Sequence, residues 1–174
     1  MGFFTKIADT LTSTRRPGKG VEVLTKVEVL NKILKINRDT APYKIEVCVK
    51  NGIDLVAEWK IVDAEWYGIF SKSSLKKVFK IQLRLDEEKK EVRALDREYS
   101  VAWTSGIPSL SLSAESFRGQ KQEISFGSGY AFTENGEFGQ VYNYKFSTKE
   151  IKSPIQDVVT SCGWTYKGVV LKKL

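Results

Sequence analysis

Residues 77–103, KVFKIQLRLDEEKKEVRALDREYSVAW, decide the fold because their pattern permits one structural interpretation. Apolar and polar residues alternate strictly in the first part of this stretch, and a period of two is typical of a half-buried strand. The apolar members are Phe79, Ile81, Leu83 and Leu85. After a polar run, apolar residues return at Val92 and Ala94. The pattern therefore predicts an antiparallel hairpin with a four-residue turn, in which Asp86 pairs with Glu91.

The numbering of the apolar residues changes from even to odd within the second strand of this hairpin. Positions 92 and 94 are even, whereas the apolar residues from Tyr99 onward occupy odd positions. One extra residue in a strand turns every following side chain to the other face. We therefore predict a β-bulge near residues 95–97, or a turn that starts a new strand there.

The composition is that of one globular domain, and it excludes several classes of chemistry. The 174 residues contain no apolar run near the roughly 18 residues that a membrane-spanning helix needs. They also contain no histidine, which excludes histidine-dependent nucleophiles and histidine-ligated zinc or iron. Two cysteines are too few for a four-thiolate metal site. We therefore predict a protein that is not an enzyme, with no catalytic residue, no metal and no cofactor. An enzyme that uses lysine, tyrosine, serine and carboxylate side chains is the least favoured alternative.

Residues 1–18 lack the order of a signal peptide, because their basic residues follow the apolar ones. We therefore expect a cytoplasmic protein, in which Cys48 and Cys162 stay reduced thiols. The net charge of +7 favours anionic partners.

Residues 1–20 differ in composition from the rest of the chain, and we predict a flexible N-terminal arm there and a single α+β domain over residues 21–174. Residues 12–20 include two glycines and a proline but no apolar side chain other than the proline ring. Before them, one helical face carries Phe4, Ile7, Ala8 and Leu11. Two interpretations of this face remain open: an amphipathic anchor for an anionic membrane, or a terminal turn that docks on its own domain.

Two helices are predicted from their start signals. Thr25 is followed three residues later by Glu28, which is the spacing of a capping box, and a helix is expected over about residues 25–37. The second helix, over about residues 154–162, begins with a proline, whose missing N–H has no partner to lose at the first helical position. Gly163 is expected to cap its C-terminal end.

The dipeptide Asn51-Gly52 separates two predicted strands and is typical of a two-residue hairpin turn. However, the apolar residues have odd numbers on both sides of it, and a two-residue turn would set Val49 against Asp54. We therefore predict a three-residue loop over residues 50–52, with a bulge at the glycine.

Together these elements predict an α+β fold. The expected architecture is a single curved antiparallel sheet of roughly seven to nine strands, built from sequential hairpins, with two helices packed on it. An aromatic-rich hairpin is expected over residues 124–146. A last strand after Gly163 is expected to return to the sheet edge.

The central hairpin carries basic side chains on its outer face. Lys80 and Arg84 share this face by their numbering, and Arg93 points the same way from the paired strand. The full candidate set for binding an anion is Lys76, Lys80, Arg84, Arg93 and Arg97. Such a patch can hold the phosphates of a nucleic acid or of lipid headgroups. The competing interpretation is an ordinary solvated sheet face.

Aromatic residues offer a second candidate site. A curved sheet with a helix across its mouth could enclose an apolar ligand. The candidate pocket residues are Trp59, Trp66, Trp103, Tyr130, Tyr142 and Tyr144. In the competing interpretation these rings form a solid core.

We expect the function to be that of a cytoplasmic, non-catalytic binding or interaction module, for which another protein is one candidate partner. The alternative is a basic module that contacts nucleic acid or an anionic membrane surface through Lys80, Arg84 and Arg93. A third expectation is a carrier that holds a small apolar ligand on an aromatic-lined sheet. No motif in the sequence identifies the partner.

Overall fold

The computed structural model describes residues 3–39, 41–60, 77–104, 107–112, 126–131, 143–146 and 148–169. The helices in these ranges are α1 (Phe3–Leu11), α2 (Lys26–Leu34) and α3 (Thr148–Ser161). The strands are β1 (Tyr43–Lys50), β2 (Ile53–Trp59), β3 (Lys77–Asp86), β4 (Glu91–Thr104), β5 (Ile107–Leu112), β6 (Phe126–Ala131), β7 (Asn143–Phe146) and β8 (Thr165–Gly168).

Six of the described strands form one mixed sheet. Strands β1 to β5 lie in sequence order, each antiparallel to the next, and β8 runs parallel to β4. The edge of β4 away from β3 is divided, because residues 91–94 pair with β8 and residues 99–104 pair with β5. Strands β6 and β7 form a separate two-stranded antiparallel sheet.

The α+β class is confirmed, whereas the prediction of a single antiparallel sheet of roughly seven to nine strands is not confirmed by the described residues. The described strands divide into sheets of six and two. Strand β8 can lie parallel to β4 because the chain reaches it through a long connection that ends with α3, and not through a hairpin turn from β4. Such a crossover lets a strand enter a sheet in the same direction as its neighbour, whereas a short hairpin turn does not.

The central hairpin has the predicted register. Its pairing runs without interruption from Asp86 opposite Glu91 to Lys77 opposite Ser100. The four-residue turn is therefore confirmed. The predicted bulge near residues 95–97 is wrong, since the ladder is regular there.

The apolar residues of β4 move from even to odd positions because both faces of the sheet are buried at this end of the hairpin. Val78 and Val101 are buried, yet they lie on the face opposite to Ile81. On the face that Ile81 shares, the even positions of β4 continue as two buried acids, Asp96 and Glu98. Because these core positions carry acids, the apolar residues do not continue at even positions, and the sequence pattern resembles that of a bulge.

The β1–β2 hairpin has a two-residue turn, although the odd positions of the apolar residues on both strands predicted a three-residue loop. Asn51 and Gly52 both have positive φ, 57° and 75°, as a type I′ turn requires, and Lys50 pairs with Ile53. A register shift between Val47 and Lys50 absorbs the odd residue within β1. The predicted three-residue loop is therefore wrong. The register shift within β1 allows a two-residue turn while the apolar residues on both strands keep their odd positions.

Helix α2 begins with the predicted capping box. The Thr25 N–H donates to Glu28 Oε2 over 2.9 Å, and the Glu28 N–H donates to Thr25 Oγ1 over 3.4 Å. The bond from the Thr25 N–H lowers the pKa of Glu28, because it favours the carboxylate form. The helix ends at Leu34, short of the predicted residue 37.

Helix α3 begins at Thr148 and contains Pro154 in its interior, so the predicted start at this proline is wrong. Thr148 and Ile151 are fully buried, and their packing extends the helix by more than a turn. Tertiary burial thus outweighs the helical hydrogen bond that the proline cannot donate. The predicted cap is confirmed, since Gly163 follows the helix with a φ of 75°.

Helices α2 and α3 cover one face of the six-stranded sheet, which we call the inner face, and the opposite face is the outer face. The core includes Val29, Ile33, Ile45, Leu55, Ile81, Leu83, Val92, Ile151, Ile155 and Val159. Cys162 is also fully buried, and both cysteines are free thiols, as expected. Because the core is continuous under two helices, the inner face has little room for a ligand except at its margins.

The chain between α1 and α2 contacts the end of α3. The Leu24 N–H donates to the Cys162 carbonyl over 3.1 Å, and Trp164 Nε1 donates to the Leu24 carbonyl over 2.8 Å. Helix α1 has exposed apolar side chains at Ile7 and Leu11. The flexibility of residues 1–20 and their use as a membrane anchor stay predictions.

Strand β1 is at the end of the sheet order, and one side chain closes part of its free edge. Asn37 Oδ1 accepts from the Ile45 N–H over 2.7 Å, and Asn37 Nδ2 donates to the Ile45 carbonyl over 2.8 Å. A strand that added to this edge would need the same two backbone groups. Asn37 therefore protects β1 against edge-to-edge association at this point.

Substituting Gly163 by alanine should destabilise the domain more than the same substitution at Gly52. Both residues have a φ of 75°, so an added Cβ strains each backbone by about 1 kcal/mol. At Gly163 the Cβ would also lie 2.5 Å from the Glu22 carbonyl oxygen, whereas at Gly52 it meets no described atom within 4 Å beyond its chain neighbours. Urea unfolding should show a loss of roughly 3 kcal/mol for Gly163→Ala and about 1 kcal/mol for Gly52→Ala. Equal losses would contradict the close packing at Gly163.

Candidate functional site

The outer face of the sheet carries basic residues in neighbouring strands. Cross-strand pairs join Lys80 with Arg97 and Arg84 with Arg93. The parallel pairing of β8 extends the second pair, because Arg93 is also opposite Lys167. Neighbouring strands lie about 4.8 Å apart, so three of these residues form a line about 10 Å long across the sheet. We call the five residues Lys80, Arg84, Arg93, Arg97 and Lys167 the basic face.

Acidic residues accompany the basic face and only partly balance it. Glu58 forms an ion pair with Lys80, and Glu91 Oε1 lies 2.9 Å from Lys167 Nζ. The Lys80 ammonium also lies 5.2 Å from the centre of the Tyr99 ring, which is a cation–π distance. A third carboxylate, Asp86, also lies near this face; its pKa is lowered by the hydrogen bond from Lys89 and, to a smaller extent, by the charge of Arg84. At least three carboxylates therefore accompany the five cations.

Arg93 lies at the centre of the line. Its Nε is buried and has no hydrogen-bond partner among the described residues. A buried donor of this kind is unfavourable unless an acceptor approaches it. The described fold therefore leaves one donor of the basic face unsatisfied.

Lys80, Arg84 and Arg93 lie together on this face, as their numbering indicated. Arg97 joins them because the ladder is regular, and Lys76 lies outside the described residues. Their role in binding an anion stays a prediction. The predicted set did not include Lys167, because its position depends on the pairing of β8 with β4. That pairing joins residues far apart in the sequence, and no local pattern indicates it.

Two of the predicted pocket residues belong to the six-stranded sheet. Trp59 is buried in the core, where its ring meets Tyr43 edge-on with 6.4 Å between the ring centres. Trp103 is partly buried against the same core. These two side chains therefore contribute to packing.

The other predicted pocket residues lie elsewhere. Tyr130 and Tyr144 are a cross-strand pair in the β6–β7 sheet. Trp66 and Tyr142 lie outside the described residues. An apolar pocket among the six aromatic residues stays a prediction.

A cleft of about 770 Å³ lies between the turns of the two hairpins and is lined mainly by charged residues. Two of its carboxylates are engaged within the fold. Asp54 pairs with Lys26 at 2.8 Å and accepts from the Leu85 N–H over 2.7 Å, and Asp86 pairs with Lys89 at 3.1 Å. Within the described ranges, no group of acids and cysteines has an arrangement that could hold a metal ion.

The inner face carries buried polar residues beneath α3. Lys152 Nζ lies 2.5 Å from Asp96 Oδ2, and the two side chains are 5% and 1% exposed. Glu98 on β4 is buried too, as is Gln156 one turn further along α3. An ion pair is costly to bury, and apolar residues of similar size often stabilise a core as well. Core stability alone therefore does not explain this pair.

The segment that follows α1 docks beside these residues. Gln156 Nε2 donates to the Ser13 carbonyl over 2.8 Å, and Arg15 exchanges two backbone hydrogen bonds of 2.9 Å with Tyr166. The Arg15 guanidinium also pairs with Asp157 at 2.7 Å. Ser13 has a left-handed φ of 54°, which costs a non-glycine residue about 1 kcal/mol. The contacts with α3 and β8 offset this strain.

A second cleft, of about 520 Å³, lies between α3 on one side and the end of α1 with this segment on the other. We call it the α3 cleft; its lining includes Thr10, Ser13, Arg15, Lys149, Lys152 and Gln156. Lys152 and Gln156 therefore belong both to the buried polar group and to the wall of the cleft.

Sequence reasoning did not identify this polar group, although one signal was present. The even positions that begin with Val92 continue through Asp96 and Glu98 without an insertion. A regular strand would have placed both acids on the core face and would have required a buried cation. Lys152 is the residue that meets this requirement for Asp96.

Tyr166 on β8 is fully buried, and its hydroxyl has no hydrogen-bond partner among the described residues. Burial raises the pKa of Tyr166 well above the ordinary value of 10.0, and the nearby Asp96 carboxylate raises it further. The phenol is therefore neutral throughout the physiological range of pH.

Comparisons with protein-family models, with curated protein sequences and with solved structures found no match to this chain. In the part of the chain that the structure describes, no helix combines the length and the apolar character needed to cross a bilayer. The function is therefore inferred from the geometry of the basic face and of the α3 cleft.

Replacing Lys152 by methionine should destabilise the domain strongly, and replacing Asp96 as well should recover most of the loss. The single variant K152M leaves the Asp96 carboxylate buried without this ion-pair partner, which typically costs about 3–5 kcal/mol. The double variant D96L/K152M removes both charges, and we expect a net loss of roughly 1 kcal/mol. Urea unfolding of the wild type, both single variants and the double variant measures the coupling. Additive losses would contradict a direct interaction.

Replacing Tyr166 by phenylalanine should stabilise the domain by about 1 kcal/mol at neutral pH, because it removes a buried hydroxyl that lacks a partner. The folded pKa is raised, so above pH 10.0 the unfolded state ionises first. The wild type should therefore keep its stability below that pH and lose it as the pH rises toward the folded pKa. Urea unfolding across this range should show a smaller loss for Y166F. Parallel curves would contradict the burial of the hydroxyl.

Proposed function

We propose that the protein is a non-catalytic binding module that holds the phosphates of a nucleic acid on its basic face. One observation carries this proposal: like charges lie directly opposite each other on adjacent strands. Lys80 faces Arg97, Arg84 faces Arg93, and Arg93 also faces Lys167. Like charges in opposed positions repel each other, and carboxylates such as Glu58 and Glu91 offset part of that repulsion within the fold. A bound anion would make the paired cations favourable, because its negative charge attracts both members of each pair.

The central position of Arg93 supports the same proposal. A guanidinium binds phosphate oxygens through paired N–H donors, and such bonds are stronger when both groups are charged. A phosphate above the row would approach the terminal N–H groups of the Arg93 guanidinium, because Arg93 is only partly buried, whereas its Nε is closed to an external ligand. Arg84 and Lys167 flank it on either side and would contact the same backbone.

An anionic membrane surface fits the basic face less well. Peripheral membrane binding combines cations with apolar side chains that enter the interface. The large apolar side chains that are exposed in the described ranges are Ile7, Leu11, Val23, Val27 and Val47. They lie on α1, on α2 and the segment before it, and on the inner side of β1, so none of them belongs to the basic face. The phosphates of a nucleic acid need no such insertion.

The proposal predicts salt-dependent binding that depends on Arg84 and Arg93. The full chain would be titrated against fluorescently labelled single-stranded RNA, single-stranded DNA and duplex DNA at several salt concentrations. Counterion release should make the logarithm of affinity fall linearly with the logarithm of salt concentration. The double variant R84Q/R93Q should bind more weakly, and its salt slope should be shallower by about two, because two phosphate contacts are lost.

The matched control is K32Q/K35Q, which removes the same charge from exposed positions in and just after α2, on the other side of the sheet. It should bind nearly as the wild type does. Equal weakening in both double variants would show an effect of net charge alone and would contradict a defined face. Absence of binding at low salt, or binding to anionic vesicles without binding to nucleic acid, would also overturn the proposal.

A further inference from the structure

The α3 cleft lies on the helix side of the sheet, whereas the basic face lies on the opposite side. Its walls come from α3, from the end of α1 and from the segment that follows α1, and its volume is about 520 Å³. Pockets for small molecules usually measure about 300–1,000 Å³. The cleft is therefore large enough for a small ligand, and the nucleic-acid proposal does not use it.

The lining of the cleft favours an anion. Lys149 and Lys152 contribute ammonium groups, and serine and threonine residues contribute hydroxyls. Asp9 is the acidic residue of the lining, and the Arg16 guanidinium already holds it through two hydrogen bonds of 2.9 and 3.0 Å. Donors therefore outweigh acceptors on this surface.

The buried ion pair with Asp96 fixes the position of the Lys152 ammonium at one end of the cleft. Lys152 belongs to the lining, whereas Asp96 lies beneath it on β4 and does not. The carboxylate holds the ammonium, and surrounding burial restricts the lysine to one arrangement. A cation that is already ordered loses little conformational entropy when it binds an anion.

The same arrangement positions the opposite wall. Gln156 lies one turn after Lys152 on α3 and holds the Ser13 carbonyl at 2.8 Å. Arg15, two residues later, is fixed to β8 through Tyr166 and to α3 through Asp157. The hydroxyl-bearing wall of the cleft is thus attached to β8 and to α3, and α3 carries both lysines.

We propose that the α3 cleft binds a small anionic molecule, whose phosphate or carboxylate oxygens accept hydrogen bonds from Lys149 and Lys152. This function is independent of the nucleic-acid proposal, because it uses other residues on the other side of the sheet. It also accounts for a lysine at a core position of α3, which apolar packing alone does not require.

The test uses the full chain with inorganic phosphate, citrate and adenosine monophosphate as separate millimolar probes. Binding of at least one probe should raise the melting temperature and give a saturable calorimetric titration. The variant K149E should weaken that binding about tenfold or more, because it replaces a charge-assisted contact by a repulsion. Lys149 is exposed, so this variant should fold, whereas K152M is expected to be unstable. Comparison of phosphate with citrate distinguishes the two kinds of anionic group.

Two control variants separate this site from other positive surfaces. K32E makes the same change at an exposed position on α2 and should bind the probe as the wild type does. R84Q/R93Q should also retain full binding, since it alters the basic face alone. Loss of probe binding in R84Q/R93Q, equal weakening in K149E and K32E, or the absence of binding with all three probes would overturn the proposal. A failure of nucleic-acid binding would leave these outcomes unchanged.

Discussion

The uninterrupted register of β3 against β4 is the constraint on which the rest of this fold depends. Because the ladder is regular from Asp86 to Lys77, every residue of β4 opposite it has a defined face. Even positions, including Asp96, point under the helices, and odd positions, including Arg93, point to the outer face. Strand β4 therefore contributes residues both to the buried polar group on the inner face and to the basic face on the outer face.

The acid on the inner side of β4 places a requirement on α3. A carboxylate buried at position 96 is tolerable only with a cation and hydrogen-bond donors close to it. The early start of α3 at Thr148 meets this requirement, because it brings Lys152 into the helix one turn before Gln156. A helix that began at Pro154 would leave Lys152 in the preceding loop. The same two α3 side chains then form one wall of the α3 cleft.

The α3–β8 unit links the two proposed sites although they lie on opposite sides of the sheet. Strand β8 adds Lys167 to the basic face through its parallel pairing with β4. Its other edge holds Arg15 and so attaches the segment that forms the second wall of the cleft. The buried Tyr166 lies between these contacts and contributes packing without a hydrogen bond from its hydroxyl among the described residues. Both surfaces therefore depend on the last elements of the described chain.

The sequence by itself determined the features that depend on neighbouring residues. Alternation determined the β3–β4 register and the shared face of Lys80, Arg84 and Arg93, and turn chemistry determined the capping box and the glycine cap after α3. Only the tertiary structure decided which polar residues are buried, where α3 begins and how β8 pairs. These outcomes follow from contacts such as Lys152 with Asp96, between residues distant in the chain. Local periodicity carries no information about such contacts, because their free energy arises only when the distant segments pack together.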